Sequence, residues 1–253
     1  MGTESEVRDF YDQFSGKVLL EDFRRFNLRQ EALRRFCTDF VPRGARVLEI
    51  GCGVGINAKH LRRIASRVVA VDISDRNIEI AREYAGNTGV DFRVLDVLEA
   101  GDELASLGPF DAVVLPDVIE HIPKTHYPHL FATIARVLAR PGRVLLTYPS
   151  PEYQRHLRES APRTLQIVDE VVTIDEILRH TALELVHFSY KHVWHENQYV
   201  HVVLTSDRAY HAEDLARSPA DRFRYRLNKR CWRLRHFWFV RKFTRKTESP
   251  GRS

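Results

Sequence analysis

The stretch RVLEIGCGVG, residues 46–55, joins a short β-branched apolar run to three glycines at alternate positions. A second apolar run, RVVAVD at residues 67–72, ends in Asp72, which lies 17 residues after Gly55. Glycines let the backbone turn tightly and approach a ligand, and an acid at the end of the second strand can accept hydrogen bonds from ribose hydroxyls. The spacing therefore predicts a strand–helix–strand unit that binds a nucleotide.

The glycine spacing limits the kind of nucleotide. The dinucleotide fingerprint G-x-G-x-x-G needs a glycine at position 56, where this chain has Ile56. The pattern that is present is E-x-G-x-G-x-G, which begins at Glu49. A dinucleotide cofactor is therefore not indicated.

From residue 46 the sequence alternates apolar runs with helical patterns, which is typical of a parallel α/β sheet. The predicted strands lie at residues 46–50, 67–72, 90–96, 110–116, 143–149, 183–193 and 197–206, the last two close enough to pair as neighbours. The predicted helices lie at residues 57–65, 75–86, 125–139 and 173–180. Ser74 or Asp75 can cap the second helix, and Pro141-Gly142 ends the third. We predict an α/β fold with a Rossmann-like, seven-stranded, mostly parallel sheet and helices on both faces.

Two flanking regions and one insertion complete the predicted organisation. Apolar residues at helical spacing predict an N-terminal helical cap over residues 1–42. The main domain covers residues 43–207 and contains a polar insertion at residues 150–172. Residues 208–253 are predicted to form a basic, amphipathic, helical C-terminal extension, with one apolar stripe flanked by arginines.

The C-terminal extension carries the positive charge of the chain. The net charge is +5, but residues 222–246 hold eleven Arg or Lys and no acid, which leaves 28 basic and 34 acidic residues elsewhere. Residues 221–246 fit a helix on an anionic membrane, a nucleic-acid-binding segment, or a helix packed on the main domain or on a second subunit. Nucleic acid is the least expected partner, because the remaining chain has a net charge of −6 and no base-reading motif.

Composition also bears on location. No stretch reaches the roughly 18 to 20 consecutive apolar residues that a membrane span needs, and the start MGTESEVRDF lacks the apolar core of a signal peptide. We therefore expect a cytoplasmic protein, with a peripheral position at the inner face of the membrane left open by the basic segment. The three cysteines form no CxxC pair, so neither a disulfide framework nor a zinc site is expected.

Five motifs occur in order between residues 46 and 149: LEIGCGVG, VVAVDIS, the Asp96-Val97 pair, FDAVVLPDVIEHIP and ARVLARPGRVLLTYP. Together they resemble a class I S-adenosylmethionine (SAM)-dependent methyltransferase, in the branch that holds ubiquinone-type and sugar or natural-product enzymes. The resemblance implies SAM as cofactor and S-adenosylhomocysteine as product. It also implies that residues 43–207 are the methyltransferase domain and that the insertion at 150–172 is a lid over the acceptor.

The resemblance implies a set of cofactor-binding residues. Gly51, Gly53 and Gly55, with Cys52 between them, would line the methionine and ribose moieties of SAM. Glu49 would orient its amino end and Asp72 would hold its ribose hydroxyls. The remaining members of the set are Ile73 against adenine, Asp96 and Val97 at the adenine edge, Leu115 through its backbone carbonyl to the methionine ammonium, and Asp117.

The stretch LPDVIEHIP, residues 115–123, is predicted at the carboxyl end of the fourth strand, which is the open end of a parallel sheet. Methyl transfer requires the protein to position the acceptor and to remove a proton if the nucleophile is a hydroxyl. His121 can accept a proton near neutral pH. The resemblance implies that it is the base, although it could instead shape the pocket or cap a helix. His126 and His129 are predicted on the next helix, and the spacing of the acids and histidines in this stretch requires no metal.

Fewer sequence features indicate which residues bind the methyl acceptor. Tyr11, Tyr148 and Tyr153 join His121 as predicted substrate-binding residues. The polar and cationic composition of the insertion favours a hydroxylated or anionic acceptor over a quinone. The resulting hypothesis is O-methylation of a hydroxyl of a sugar, glycan or small natural product. N- or C-methylation of a small molecule, a nucleic-acid-associated protein and an inactive adenosyl-binding scaffold remain alternatives, and the oligomeric state stays open.

Overall fold

The computed structural model describes residues 27–161 and 168–207 of the chain. Tyr11 and most of the predicted N-terminal cap lie outside the described residues, as do residues 162–167 of the insertion. The predicted C-terminal extension, including the basic segment 221–246, also lies outside them.

Seven strands form one sheet, as predicted. They are β1 (Arg46–Ile50), β2 (Arg67–Asp72), β3 (Val90–Val94), β4 (Phe110–Pro116), β5 (Leu138–Pro149), β6 (Glu184–Lys191) and β7 (Tyr199–Thr205). Their order is β3-β2-β1-β4-β5-β7-β6. The first five strands pair in parallel, and β7 is antiparallel to both β5 and β6. The prediction of a Rossmann-like, mostly parallel sheet, with the last two strands as neighbours, is confirmed.

Seven α-helices are described between or beside these strands. They are α1 (Leu28–Phe40), α2 (Ile56–Leu61), α3 (Asp75–Ala85), α4 (Gly101–Leu107), α5 (Tyr127–Val137), α6 (Pro151–Ser160) and α7 (Ile174–Arg179). Ser74 caps α3 as predicted, because its hydroxyl accepts from the Asn77 backbone N–H at 3.0 Å. Among the described residues, no helix combines the length and hydropathy needed to cross a bilayer.

The predicted end of the third helix is wrong. The sequence places the stop at Pro141-Gly142, but α5 ends at Val137 and Leu138 is already extended. Leu138 pairs with Phe110, whereas the next pair joins Arg143 to Ala112, so residues 139–142 lie in an irregularity of the β4–β5 pairing. The sheet pairing, rather than the local Pro-Gly signal, determines where this helix stops.

Two helices were not predicted. Helix α4 lies between β3 and β4, where the sequence shows only a short stretch with little apolar periodicity. Helix α6 occupies the start of the insertion that was described as polar. Only Pro151 and Gln154 are buried in it, and Leu157 is half-buried, so one narrow line of residues faces the protein. A helix with so few apolar residues gives a weak sequence signal.

The hydrophobic core lies on both faces of the sheet. Successive strand residues point to opposite faces, so Leu48 and Ile50 join one cluster while Val47 joins the other. Helices α4, α5 and α7 cover the first cluster, and α1, α2 and α3 cover the second. Because helices cover both faces of the central strands, a ligand can reach those strands at their ends.

Candidate active site

A cavity of about 650 Å³ opens at the carboxyl ends of β1, β2, β3 and β4. Strands β1 and β4 are neighbours, and the chain leaves β1 toward β2 on one side and leaves β4 toward β5 on the other. In open α/β sheets this reversal separates the loops and creates the crevice in which ligands bind. The volume falls in the range of small-molecule and cofactor sites.

The glycine loop forms the floor of the cavity. Gly51, Cys52 and Gly53 line it. Gly51 has a φ of 71°, and a Cβ at this position would lie 2.3 Å from the Val118 side chain of the loop after β4. Gly55, predicted to line the cofactor, is not among the lining residues. A Cβ there would meet Ala81 and Phe92 at 2.9 and 3.0 Å, because Gly55 lets α2 pack closely on α3 and β3.

Asp72 ends β2 and faces the glycine loop. Its carboxylate accepts hydrogen bonds from the Gly53 backbone N–H at 2.8 Å, the Ser74 backbone N–H at 3.0 Å and the Asn77 amide at 3.0 Å. Asp72 is 7% exposed and lines the cavity. The three donors fix the carboxylate at the position where the sequence predicts a contact to ribose hydroxyls.

Glu49 lies in the deepest part of the cavity wall. It is fully buried, and one carboxyl oxygen accepts from the Asn57 amide at 2.9 Å. The other oxygen, Oε2, has no hydrogen-bond partner among the described residues. The pKa of Glu49 is raised to about 8, mainly by burial; the Asn57 hydrogen bond opposes this shift and the nearby charge of Asp72 adds to it. A buried carboxyl with an unused acceptor is suited to a cationic group such as an ammonium.

Three residues that the sequence predicts at the adenine of SAM lie in one part of the cavity wall. Ile73, Asp96 and Val97 line the cavity after β2 and β3. The Asp96 carboxylate accepts from the Leu98 backbone N–H at 2.8 Å, which shapes this loop. Leu115, which was predicted to offer its backbone carbonyl to the methionine ammonium, is fully buried within β4 and does not line the cavity. Strand β4 ends at Pro116, as the sequence predicts, and Pro116 and the predicted cofactor residue Asp117 line the cavity.

Asp117 is held in a strained conformation at the end of β4. Its φ is 53°, in the left-handed region that non-glycine residues rarely adopt. Its carboxylate accepts from the Thr147 hydroxyl at 2.7 Å and forms an ion pair with Arg29 of α1 at 2.8 Å. Arg29 was not predicted as a site residue, since it lies 88 residues from Asp117 and no local motif marks it.

His121 lies in the short 3₁₀ turn Ile119–His121 after β4 and lines the cavity. Its Nδ1 lies 2.9 Å from the Val168 carbonyl oxygen and 3.7 Å from the Asp169 carboxylate. A carbonyl oxygen can only accept, so Nδ1 donates and, in the neutral ring, Nε2 is the nitrogen that can accept a proton. Burial lowers the pKa of His121 below 6.5, although the Val168 hydrogen bond and Asp169 act in the opposite direction.

Glu120 is a second buried acid beside this histidine. It is 2% exposed, and its Oε1 lies 3.9 Å from His121 Nε2. Burial, and then the charge of Asp117, raises the pKa of Glu120 well above its usual value. The protein therefore disfavours the charged form of Glu120 next to the candidate base.

The composition of the insertion predicts polar and cationic residues at the cavity, but the residues of helix α6 that line it are uncharged. Gln154 and Leu157 of α6 line the cavity, whereas Arg155 and His156 are exposed. Tyr153, predicted to bind substrate, does not line the cavity and has its ring near Tyr199 instead. Helix α6 was not predicted from the sequence, and its periodicity turns Arg155 and His156 to the solvent.

Tyr148, also predicted to bind substrate, does not line the cavity. It is 1% exposed and belongs to the hydrophobic core on the face covered by α5. Neighbouring Thr147 and Pro149 point to the other face and line the cavity. Side chains alternate along a strand, so a shift of one residue exchanges cavity for core.

The remaining histidines of this region have separate environments. His126 lines the cavity from the 3₁₀ turn that precedes α5. His129 lies on α5, is exposed, and its ring nitrogen is 2.6 Å from the Leu98 carbonyl oxygen. Within residues 27–161 and 168–207, no three acidic, histidine or cysteine side chains converge as a metal site would require.

Comparisons with known proteins identify the family of this chain. A family model for a methyltransferase domain matches residues 23–241. Among similar proteins are ubiquinone biosynthesis O-methyltransferases from Methylocella silvestris, 35% identical over 131 residues, and from Rhizobium etli, 37% identical over 105 residues. These alignments cover 50% and 40% of this chain, and 48% and 40% of the relatives. The chain thus spans about half the length of the curated relatives it matches.

Solved structures share the fold. A magnesium protoporphyrin IX methyltransferase from Synechocystis with bound S-adenosylhomocysteine has a TM-score of 0.62 and 16% identity, covering 81% of this chain and all of that one. A SAM-dependent methyltransferase from Anabaena variabilis has a TM-score of 0.62 and 15% identity, covering 81% of this chain and 95% of that one. At these identities the likeness concerns the fold.

Proposed function

This chain belongs to the methyltransferase-domain family and has the class I fold of SAM-dependent methyltransferases, and we propose that it methylates a hydroxyl of a small molecule with His121 as general base. One observation carries the proposal. A single cavity connects the glycine loop and the buried acids Glu49 and Asp72 to His121, which is held with Nε2 as its proton-accepting nitrogen.

The residues around the glycine loop fit SAM. The buried Glu49 Oε2, which has no described partner, is available to a positively charged amine. Gly51 keeps the cavity open at a point where any Cβ would touch Val118, and Asp72 is fixed beside the loop. When bound, SAM supplies a methyl group already activated on a sulfonium centre. The protein's task is then to position the acceptor and to remove its proton.

His121 is suited to remove that proton. The Val168 carbonyl oxygen keeps the ring proton on Nδ1, so Nε2 is the site that receives a proton from an acceptor hydroxyl. Because burial lowers the pKa of His121, the ring is neutral at pH 7. Asp169, with a carboxylate oxygen 3.7 Å from Nδ1, stabilises the imidazolium that forms.

The cavity wall favours an acceptor with an apolar or aromatic body. Val118, Ile122, Leu157 and Val193 line the cavity together with His121. Arg155 and His156 of α6, which suggested an anionic acceptor, are exposed and do not line the cavity. Together with relatives named as ubiquinone biosynthesis O-methyltransferases, this supports a phenolic or similar hydroxylated natural product ahead of a sugar or glycan. Transfer to nitrogen or carbon remains the alternative.

Cofactor binding is tested first, by isothermal titration of the purified chain with SAM. We expect binding by the wild-type protein and a loss of affinity of at least about tenfold in Asp72→Ala, because the carboxylate contributes charge-assisted hydrogen bonds. His129→Ala, an exposed substitution on α5, is the control and should bind SAM normally. If the folded wild-type protein does not bind SAM, the proposed function is wrong.

The base role is tested by turnover with methyl-labelled SAM and three probe acceptors: a catechol, a free hexose and an alkylamine. We expect the catechol to be methylated, and His121→Ala to lower turnover about 10²-fold or more while SAM affinity stays nearly unchanged. Preferred methylation of the amine would support the nitrogen alternative. Unchanged turnover in His121→Ala would remove the histidine from the mechanism.

The pH dependence follows from the environment of His121. The base must be neutral, and the neutral fraction increases with pH. Because the pKa of His121 is lowered, kcat/KM should increase with pH through a midpoint below 6.5 and then reach a plateau. A midpoint well above 6.5, measured at constant ionic strength, would contradict the assignment.

A further inference from the structure

The ring of His121 is held by a segment that comes from the insertion. The Val168 carbonyl oxygen and the Asp169 carboxylate both face Nδ1, at 2.9 and 3.7 Å. Neither residue is close to His121 in sequence. The orientation of the ring therefore depends on what holds Val168 and Asp169 in place.

Helix α6 holds this segment. The Gln154 side-chain amide donates to the Asp169 carboxylate at 2.7 Å, and the Arg158 guanidinium donates to the Asp169 backbone carbonyl. Gln154 and Arg158 are one helical turn apart, so they act from the same side of α6. From the other side, the Glu170 backbone N–H donates to the Glu120 carbonyl at 2.7 Å, which ties the segment to the turn that carries His121.

Gln154 differs from the other polar residues of α6. It is 1% exposed, whereas Arg155, His156 and Arg158 are exposed. It is not needed to cap the helix, since the Ser150 hydroxyl accepts from the Tyr153 backbone N–H. A buried amide that donates to a carboxylate makes a charge-assisted hydrogen bond, which is shorter and stronger than a neutral one. This bond fixes the carboxylate that faces Nδ1.

We propose that Gln154 is a positioning residue, which sets the Nδ1-protonated form of the His121 ring by holding Asp169 and the Val168 carbonyl against it. Lid helix α6 thereby prepares the base, and the acceptor that contacts α6 meets a ring with Nε2 directed to accept its proton. The catalytic consequence rests on the proposed function, whereas the effect on the ring tautomer does not.

The test is ¹⁵N nuclear magnetic resonance of the full-length chain labelled at histidine, with the His121 signals assigned by their loss in His121→Ala. In the wild-type protein we expect the neutral ring to carry its proton on Nδ1. In Gln154→Met, which keeps the length of the side chain but removes the donor, we expect a mixture of both tautomers. We also expect kcat to fall about tenfold while the Kd of SAM changes less than about twofold.

Gln198→Met is the matched control. Gln198 is also 1% exposed, but its amide oxygen accepts from the backbone N–H groups of Trp194 and His195 and not from the His121 region. This variant should lose stability without changing the tautomer of His121. If Gln154→Met does not fold, Gln154→Glu keeps the size of the side chain and places a carboxylate against Asp169, with the same expected change of tautomer.

The outcomes distinguish the positioning role of Gln154 from the base role of His121. A wild-type tautomer and an unchanged kcat in both Gln154 variants would overturn the positioning role. A changed tautomer combined with normal turnover in His121→Ala would support the positioning role and reject the base role. A tautomer that changes equally in Gln198→Met would show a general effect of the lost amide and would also overturn the proposal.

Discussion

At the scale of single residues, the cavity contains ionisable groups that burial keeps neutral. The pKa of Glu49 is raised to about 8, and that of His201, 3% exposed and packed 4.5 Å from the Phe36 ring, is lowered to about 3. Both are therefore uncharged at pH 7. A change of pH or a charged ligand can alter the charge of such a buried group, and this alters the free energy of unfolding. The protonation of these residues therefore links stability with ligand binding.

Glu49→Gln should stabilise the SAM-free protein at alkaline pH. The folded-state pKa of Glu49 is above its usual 4.5, so between pH 4.5 and about 8 the unfolded chain releases a proton that the folded chain keeps. The wild-type protein therefore loses stability as pH rises through this window, by about 1.4 kcal/mol per pH unit at most. Thermal unfolding should show a higher midpoint for Glu49→Gln at pH 8 and little difference at pH 4.5.

The same substitution should weaken SAM binding, because the Glu49 carboxyl can ionise when an ammonium group binds beside it, whereas an amide cannot. Titration of Glu49→Gln with SAM is expected to show an affinity at least about tenfold lower. Equal affinity for SAM in the two proteins would indicate that Glu49 serves packing alone.

Gly51→Ala should weaken SAM binding, in addition to the loss of stability that a side chain causes at a positive φ. An added Cβ would lie 2.3 Å from Val118 Cγ2, so the loop after β4 must move. Gly44 provides the control, since its φ of 75° is similar but nothing lies within 4 Å of an added Cβ. Gly44→Ala should cost about 1 kcal/mol without changing SAM affinity, whereas Gly51→Ala should also raise the Kd of SAM about tenfold or more. Equal Kd values in the two variants would argue against the close approach.

At the scale of elements, helix α1 contributes a wall of the cavity that lies far away in sequence. Arg29, Gln30, Ala32 and Leu33 of α1 line the cavity, and Arg29 pairs with the strained Asp117 at the end of β4. The side chains of this pair are 29% and 16% exposed, so the pair is only partly screened by solvent. The ion pair thus ties an N-terminal helix to the loop that carries His121.

A double-mutant cycle with Arg29→Met and Asp117→Asn measures this tie. We expect each single variant to lose stability in urea unfolding, and a coupling energy of about 1 kcal/mol between them. The coupling should decrease in high salt, since the pair is partly exposed. A coupling within about 0.3 kcal/mol of zero would mean that α1 is held by its apolar residues, such as Leu33 and Phe36, without help from the ion pair.

At the scale of the whole molecule, charge is distributed unevenly along the chain. Residues 222–246 contain eleven basic residues, while the remainder has a net charge of −6. A segment of this composition with interspersed aromatic residues is expected to bind anionic membrane surfaces. Peripheral association would suit an enzyme whose acceptor has an apolar body.

Vesicle co-sedimentation tests this prediction with the full chain. We expect binding to vesicles that contain phosphatidylglycerol, no binding to pure phosphatidylcholine, and a decrease with salt. Replacing Arg222, Arg224, Arg226 and Arg230 by Gln should reduce binding, because each basic residue contributes ~1 kcal/mol near such a surface. Salt-dependent binding of single-stranded RNA without vesicle binding would instead favour the nucleic-acid alternative.

Sequence patterns determine most of the cofactor end. The glycine loop, the acid that ends β2 and the loop after β3 are each local signals at strand ends, and parallel strands bring their carboxyl ends to one edge of the sheet. Glu49, Gly51, Asp72 and Ile73 therefore reach the cavity as the sequence predicts. Gly55, Leu115 and Tyr148 do not, because packing and strand alternation decide which side of the chain faces the cavity.

The acceptor end depends on tertiary structure. Arg29 meets Asp117 across 88 residues. Asp169, to which Gln154 donates a hydrogen bond, faces His121 from an insertion whose helix has few apolar residues. Local periodicity reports which residues face a core, but it does not report which distant polar groups meet across a cavity. The sequence by itself thus determined the sheet and the nucleotide-facing loops, since those follow from apolar periodicity and turn chemistry. Only the folded chain decided the surroundings of His121, because its orientation arises from contacts between segments far apart in sequence.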